Sequence, residues 1–162
     1  MKTILIILFL GVSTLYATPF LSLKDSVNKN ANGIQTLQWT KNYSRALTLA
    51  KEENKPLMYL VSKDGCSWCD RFKSGTLSYD MIVRKLNENF IVIEGYTNRG
   101  EVPRHLLTSG TPATWFLTND GEPMFQPIMG AIPAQRFDSN LNSVLKEYQM
   151  ITTLQHGKIA TH

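Results

Sequence analysis

The chain contains only two cysteines, Cys66 and Cys69, which stand three residues apart with Ser67 and Trp68 between them. Residues at i and i+3 share one face of a helix, with β-carbons about 5–6 Å apart. A disulfide needs about 3.5–4.5 Å between β-carbons, so a modest adjustment in a first helical turn lets that bond form and break. The pair follows an apolar run and a Lys63-Asp64-Gly65 turn, and this order predicts a helix starting near Cys66. At such a start the free amide groups and the helix dipole stabilise an anion, which favours a thiolate at Cys66 over one at Cys69. Cys66 is then the attacking sulfur. Cys69, one turn inside and less exposed, is the resolving thiol that ends a mixed disulfide.

Two other readings of the pair compete. As a purely structural cross-link it closes so short a loop that the chain-entropy gain is only about 2 kcal/mol, against about 4.7 for a long loop. As half of a metal site it needs further ligands, but His105, His156 and His162 are distant in sequence and show no ligand spacing. No metal is expected, and no cofactor beyond the Cys66–Cys69 disulfide itself.

The elements that must position the pair can be read from periodicity. Tyr43, Ala46, Leu47 and Ala50 fall at helical spacing within 42–54, with Thr40 or Asn42 as a cap and Asn54-Lys55-Pro56 as a stop. Leu57 to Val61 is a continuous apolar run between breakers, which suits a strand buried on both faces. A helix is expected from Ser78, as its cap, to Asn89, then a buried strand from Phe90 to Ile93. A short helix around Val102 to Thr108 follows, with Pro103 tolerable in its first turn. Ala113 to Thr118 reads as a strand, 119–122 as a hairpin turn, and Met124 to Met129 as an antiparallel partner that Pro127 pushes towards an edge. Phe137, Leu141, Val144, Leu145 and Tyr148 line one face of a last helix from Ala134 to Tyr148. Residues 151–162 lack periodicity and read as a frayed tail, and Trp39 and Trp115 are assigned to the core. The order α-β-α-β-α-β-β-α gives an α/β fold, a mixed sheet of about four strands with helices on both faces.

Composition narrows the class. A chain of 162 residues that is 43% hydrophobic can fill one core, and with 19% charged residues its composition argues against a disordered chain. The net charge of +4 comes from scattered basic residues, so no dedicated nucleic-acid surface is expected, and no nucleotide-binding glycine motif is present. Residues 1–17 run from Lys2 through an apolar stretch, Ile4 to Leu10, to a small and polar end at Ala17. That is the order of a secretory signal peptide, and the stretch is short of the roughly 20 residues a spanning helix needs. Cleavage after Ala17 leaves a flexible lead-in over 18–38, a domain over 39–150 and the tail. The expected location is the periplasm, with membrane contact only through the signal peptide before cleavage.

From Lys55-Pro56-Leu57-Met58-Tyr59-Leu60 to Gly65-Cys66-Ser67-Trp68-Cys69, and again from Gly110-Thr111-Pro112-Ala113 to Asn119-Asp120-Gly121, the chain resembles the thioredoxin superfamily. It looks most like small exported domains that keep periplasmic thiols reduced. The resemblance covers about 39–148 and implies a thioredoxin-like fold. It also implies that Pro112 is cis against the disulfide and that Thr111 offers its backbone to an incoming peptide strand. Trp68 could cover the disulfide and contact substrate. The chain departs from the pattern in three places. Thioredoxins proper carry a buried Asp six residues before the first cysteine, where this chain has Leu60, a Trp just before the motif, where it has Gly65, and Gly-Pro inside the motif, where it has Ser67-Trp68. Glu94, at the end of the next strand, is the candidate proton acceptor in place of that Asp.

The resemblance implies a periplasmic thiol-disulfide oxidoreductase, a reductase or isomerase for client proteins or cytochrome haem-site cysteines, re-reduced by a membrane thiol donor and working as a monomer. The alternatives are an oxidase that donates its disulfide, and a non-enzymatic module that holds peptides beside Pro112 with an inert disulfide.

Overall fold

The structure, a computed structural model, describes residues 35–159. The proposed signal segment, most of the lead-in and the last three residues lie outside that range.

The two faces of one strand organise the rest. In β2 (Leu57–Ser62) all six residues are buried, as the apolar run requires. Its alternate side chains serve two cores. Leu57, Tyr59 and Val61 pack with Ala46 and Ala50 of α1 (Tyr43–Glu53), while Met58 and Leu60 face Phe72, Ile82, Leu86 and Phe137 on the other side. β2 lies at the centre of a sheet of order β1-β3-β2-β4-β5. It runs parallel to β3 (Ile91–Tyr96) and antiparallel to β4 (Ala113–Leu117). The mixed sheet between helical layers is the fold expected from the sequence.

Capping explains where α1 begins and ends. Asn42 accepts a hydrogen bond from the Arg45 amide at 2.8 Å, and Asn54 ends the helix in the left-handed region at φ 48°. On the second face lie α2 (Ser67–Ser74), α3 (Asp80–Asn89) and α4 (Ala134–Ile159). Phe137 of α4 is fully buried against Phe72 of α2, ring centroids 5.4 Å apart and edge to face, and 6.2 Å from Phe116 of β4. The helix that carries the cysteines is thus tied to the sheet and to the last helix through one aromatic cluster.

Several expected elements differ. The sheet has a fifth strand, β1 (Trp39–Thr40), paired in parallel with β3. Its approach is held by the Asn87 side chain, which accepts from the Gln38 amide and donates to the Thr36 carbonyl. Trp39 therefore sits on an edge strand, 37% exposed, and is not a core residue, whereas Trp115 is buried with its indole N–H donating to the Leu106 carbonyl at 2.8 Å. Ser78 does not cap α3. It belongs to a 3-10 turn, Thr76–Ser78, and its hydroxyl donates back to the carbonyls of Ser74 and Gly75, so Tyr79 takes the cap position without a side-chain bond. The helix expected after Val102 is a single 3-10 turn, Arg104–Leu106. β5 is only Ile128–Met129, an edge strand just after Pro127. The tail is not frayed from residue 151. α4 continues to Ile159, since no proline interrupts it and its local hydrogen bonds persist after burial ends near Tyr148. No helix among the described residues is long and apolar enough to cross a membrane.

Close approach makes one glycine obligatory. A β-carbon at Gly95 would lie 2.0 Å from the Tyr59 hydroxyl, which crosses β3 to donate to the Glu101 carbonyl at 3.0 Å. Burial, then the nearby Glu101 and Tyr43, push that phenol up to about 12, so it remains a donor at neutral pH and pins the segment after β3.

Phe137→Ala should destabilise the domain by about 3–5 kcal/mol, read as a lower midpoint in urea, because it empties the cluster beneath α2. A loss under about 1 kcal/mol would show that the cluster does not hold that helix.

Candidate active site

The reactive pair sits where β2 hands over to α2. After Ser62 the chain turns through Lys63, Asp64 and Gly65, the last at φ 72°, a conformation glycine adopts at little cost. Cys66 then takes the N-cap position of α2, with extended backbone. Its carbonyl accepts from the Cys69 and Asp70 amides at 3.0 and 3.1 Å, and its sulfur accepts from the Cys69 amide at 3.1 Å. Cys66 and Cys69 are joined by a disulfide across a Cα separation of 5.3 Å. Cys66 is half-buried and Cys69 is 1% exposed. One sulfur is open to attack at a helix N-terminus and the other is shielded one step inside.

Across from the pair, the Thr111–Pro112 peptide bond is cis and Pro112 is buried. The Thr111 hydroxyl donates to the Cys66 sulfur at 3.4 Å, a contact across 45 residues that no local pattern announces. The Pro112 carbonyl accepts from the Gly130 amide at 2.7 Å, which fixes this turn to the end of β5. Met129 extends its terminal methyl to within 3.7 Å of where a β-carbon on Gly110 would lie. Cys66, Cys69, Thr111 and Pro112 are therefore brought together from two segments 45 residues apart. Trp68, between the two cysteines in sequence, is 57% exposed, with the Arg71 guanidinium 4.9 Å from its ring centroid.

Glu94 stands in a different setting from a solvated strand end. It pairs in register with Leu60, and its side chain, 15% exposed, accepts from the Ser62 hydroxyl at 2.6 Å and from the Lys73 ammonium at 2.9 Å. Lys73 also donates to the Tyr96 hydroxyl at 3.2 Å. Burial works against the lysine's charge, but the bonds to Glu94 and Tyr96 outweigh it and hold its pKa above the ordinary value. Lys73 follows Cys69 by four residues, so this ion pair lies against the α2 face that carries the buried cysteine.

The sequence reading missed Lys73, Ser62 and a second polar group at the turn before the motif. There Asp64 is bonded by Asn98 and Arg99, which lie just beyond β3. Only the position of Asp64 beside Cys66 could have signalled this. A concavity of about 1020 Å³ between β1, α1 and the start of β3 is lined by Trp39, Arg45 and Phe90, and none of the disulfide or Thr111-Pro112 residues borders it.

Comparison with known proteins agrees with this fold. A thioredoxin from Thermus thermophilus superposes with a TM-score of 0.59 at 23% identity, covering 68% of this chain and 88% of that one. A DsbH oxidoreductase gives 0.59 at 19% identity, covering 72% and 90%. In sequence, the chain is 31% identical to mouse (Mus musculus) spermatogenesis-associated protein 20 over 103 residues, which is 58% of this chain but only 12% of that protein's length. Residues 43–145, most of the described chain and both segments of the site, match the thioredoxin-like domain, and the chain belongs to that family.

Proposed function

We propose that this chain is an exported thiol-disulfide oxidoreductase that reduces or isomerises disulfides in client proteins. The observation that carries the reading is the asymmetry of the pair: a half-exposed Cys66 capping α2 beside Thr111 and Pro112, and a shielded Cys69 behind it. In the reduced protein the Cys66 thiolate attacks a client disulfide, one client sulfur leaves as a thiolate, and a mixed disulfide forms. Cys69 loses its proton and attacks the Cys66 sulfur. The second client sulfur leaves, and the Cys66–Cys69 bond forms. Two electrons pass from the pair to the client, whose sulfurs take up two protons.

Three features support the assignment of roles. The Cys69 amide and the Thr111 hydroxyl both donate to the Cys66 sulfur, which favours its charged form. The Glu94–Lys73–Ser62 cluster is the acceptor we assign for the Cys69 proton, with Lys73 balancing the carboxylate. Trp68 and the backbone of Thr111 form the surface on which an extended client segment lies. Between β3 and β4 the described chain holds only two 3-10 turns, without the inserted helical unit that strong oxidants of this superfamily usually carry, and this favours the reducing direction. Export through residues 1–17 and re-reduction by a membrane thiol donor complete the reading.

Cys69→Ser should trap clients as mixed disulfides through Cys66, visible as reductant-sensitive adducts on non-reducing gels of the exported fraction, and Cys66→Ser should trap none. Absence of adducts with the first variant would sink the exchange mechanism. Thr111→Val, which keeps the shape and removes the hydroxyl, should slow alkylation of reduced Cys66 at neutral pH by roughly two- to fivefold, on the order of one modest hydrogen bond. Thr111→Ser should restore the rate, and equal rates for all three proteins would remove the hydroxyl from the mechanism.

A further inference from the structure

The turn that delivers Cys66 carries a carboxylate, Asp64, two residues before the attacking cysteine. The two α-carbons therefore lie within about 7 Å by chain geometry alone. An uncompensated anion there would oppose a thiolate. Arg99, from the turn after β3, answers it. Its Nε donates to the Asp64 carboxylate at 2.9 Å, its Nη2 makes a second, very short contact to the other oxygen, and the Asn98 side-chain amide adds a third bond at 2.9 Å. Asn98 also accepts from the Asp64 backbone amide at 3.0 Å. The guanidinium carbon also lies over the Tyr96 ring, 4.0 Å from its centroid, so it is held from two sides. The Arg99 bond, with Asn98, holds the Asp64 carboxyl below the usual range, so the group is charged at neutral pH.

We propose that Arg99 is a positioning residue for the exchange reaction: it neutralises Asp64 beside Cys66 and thereby sets how readily the attacking thiolate forms. The proposal rests on the exchange reaction assigned above to Cys66. The other charged groups on the elements around the motif are already committed or more distant in the chain. Asp70, Lys73 and Glu94 form the ion-paired cluster against α2, and Arg71 stacks on Trp68. The Glu101 carboxylate accepts from the Tyr96 amide. Lys63 precedes Asp64, and Arg104 and His105 follow on the next 3-10 turn. The Thr111-Pro112 segment carries no charge. Asp64 is thus the charged group nearest to Cys66 before it in the chain, and Arg99 is its partner.

The test is the pH dependence of iodoacetamide alkylation of Cys66 in the reduced full chain, Cys69 being shielded. Arg99→Gln leaves Asp64 uncompensated and should raise the apparent Cys66 pKa by about half a unit, the Coulomb effect of one exposed charge at that range. The thiolate fraction below the pKa then falls about threefold. Asp64→Asn leaves the cation alone and should lower the pKa by a similar amount. The double variant should return close to the parent, and 1 M salt, which shortens the screening length to about 3 Å, should collapse both shifts. If the pair merely braces the loop, both single variants move the pKa in the same direction or not at all, or their shifts survive high salt, and each of these results overturns the proposal. A pair that cannot be reduced and alkylated at all would instead remove the exchange reaction itself, and this proposal with it.

Discussion

The chemistry of this chain depends on holding one sulfur at the amino end of α2 while its partner stays covered. A cysteine at an N-cap uses its sulfur as the acceptor for amides that the helix leaves without partners, and those amides favour negative charge there. The benefit exists only if the helix start is fixed in space. β2, buried along its whole length, delivers the turn before Cys66 from one side. Phe72, wedged against Phe137, fixes α2 from beneath. The Thr111-Pro112 turn, tied by its carbonyl to Gly130, closes the third side.

Polar groups around this site are distributed in two clusters. Against α2, Glu94 stands opposite Leu60, where related proteins place a carboxylate on the strand itself, and Lys73 and Ser62 satisfy it. At the turn before the motif, Asp64 is bound by Asn98 and Arg99. Tyr96 joins the two, with Arg99 over its ring and Lys73 on its hydroxyl. The thiol chemistry is therefore surrounded by paired charges, and removing either member of a pair changes the field more than removing both.

Much of this was legible in the sequence where the signal is local. The helical spacing of Tyr43, Ala46 and Ala50, the unbroken run at 57–61 and the stripe from Phe137 to Tyr148 each mark an element through periodic burial, and the cysteine spacing marks the site. What escaped was set by contacts far apart in the chain. β1 has two residues and no period, and its approach depends on Asn87, about 50 residues later. The Asp64–Arg99 pair spans 35 residues, and the Thr111 hydroxyl reaches Cys66 across 45. Ser78 has the right residue type for a cap, but a preceding 3-10 turn claims its hydroxyl. The end of α4 was missed for the opposite reason: a helix can outlast the apolar face that announces it.

In the proposed function Cys66 and Cys69 are a cycling pair that gives electrons to clients, and the reduction potential of that pair tests this most directly. Equilibration of the full chain in glutathione buffers, read by thiol alkylation, should give a value near about −270 mV, where reducing members of the superfamily lie. A value near about −120 mV would make the disulfide a strong oxidant and contradict the direction of electron flow argued from this structure.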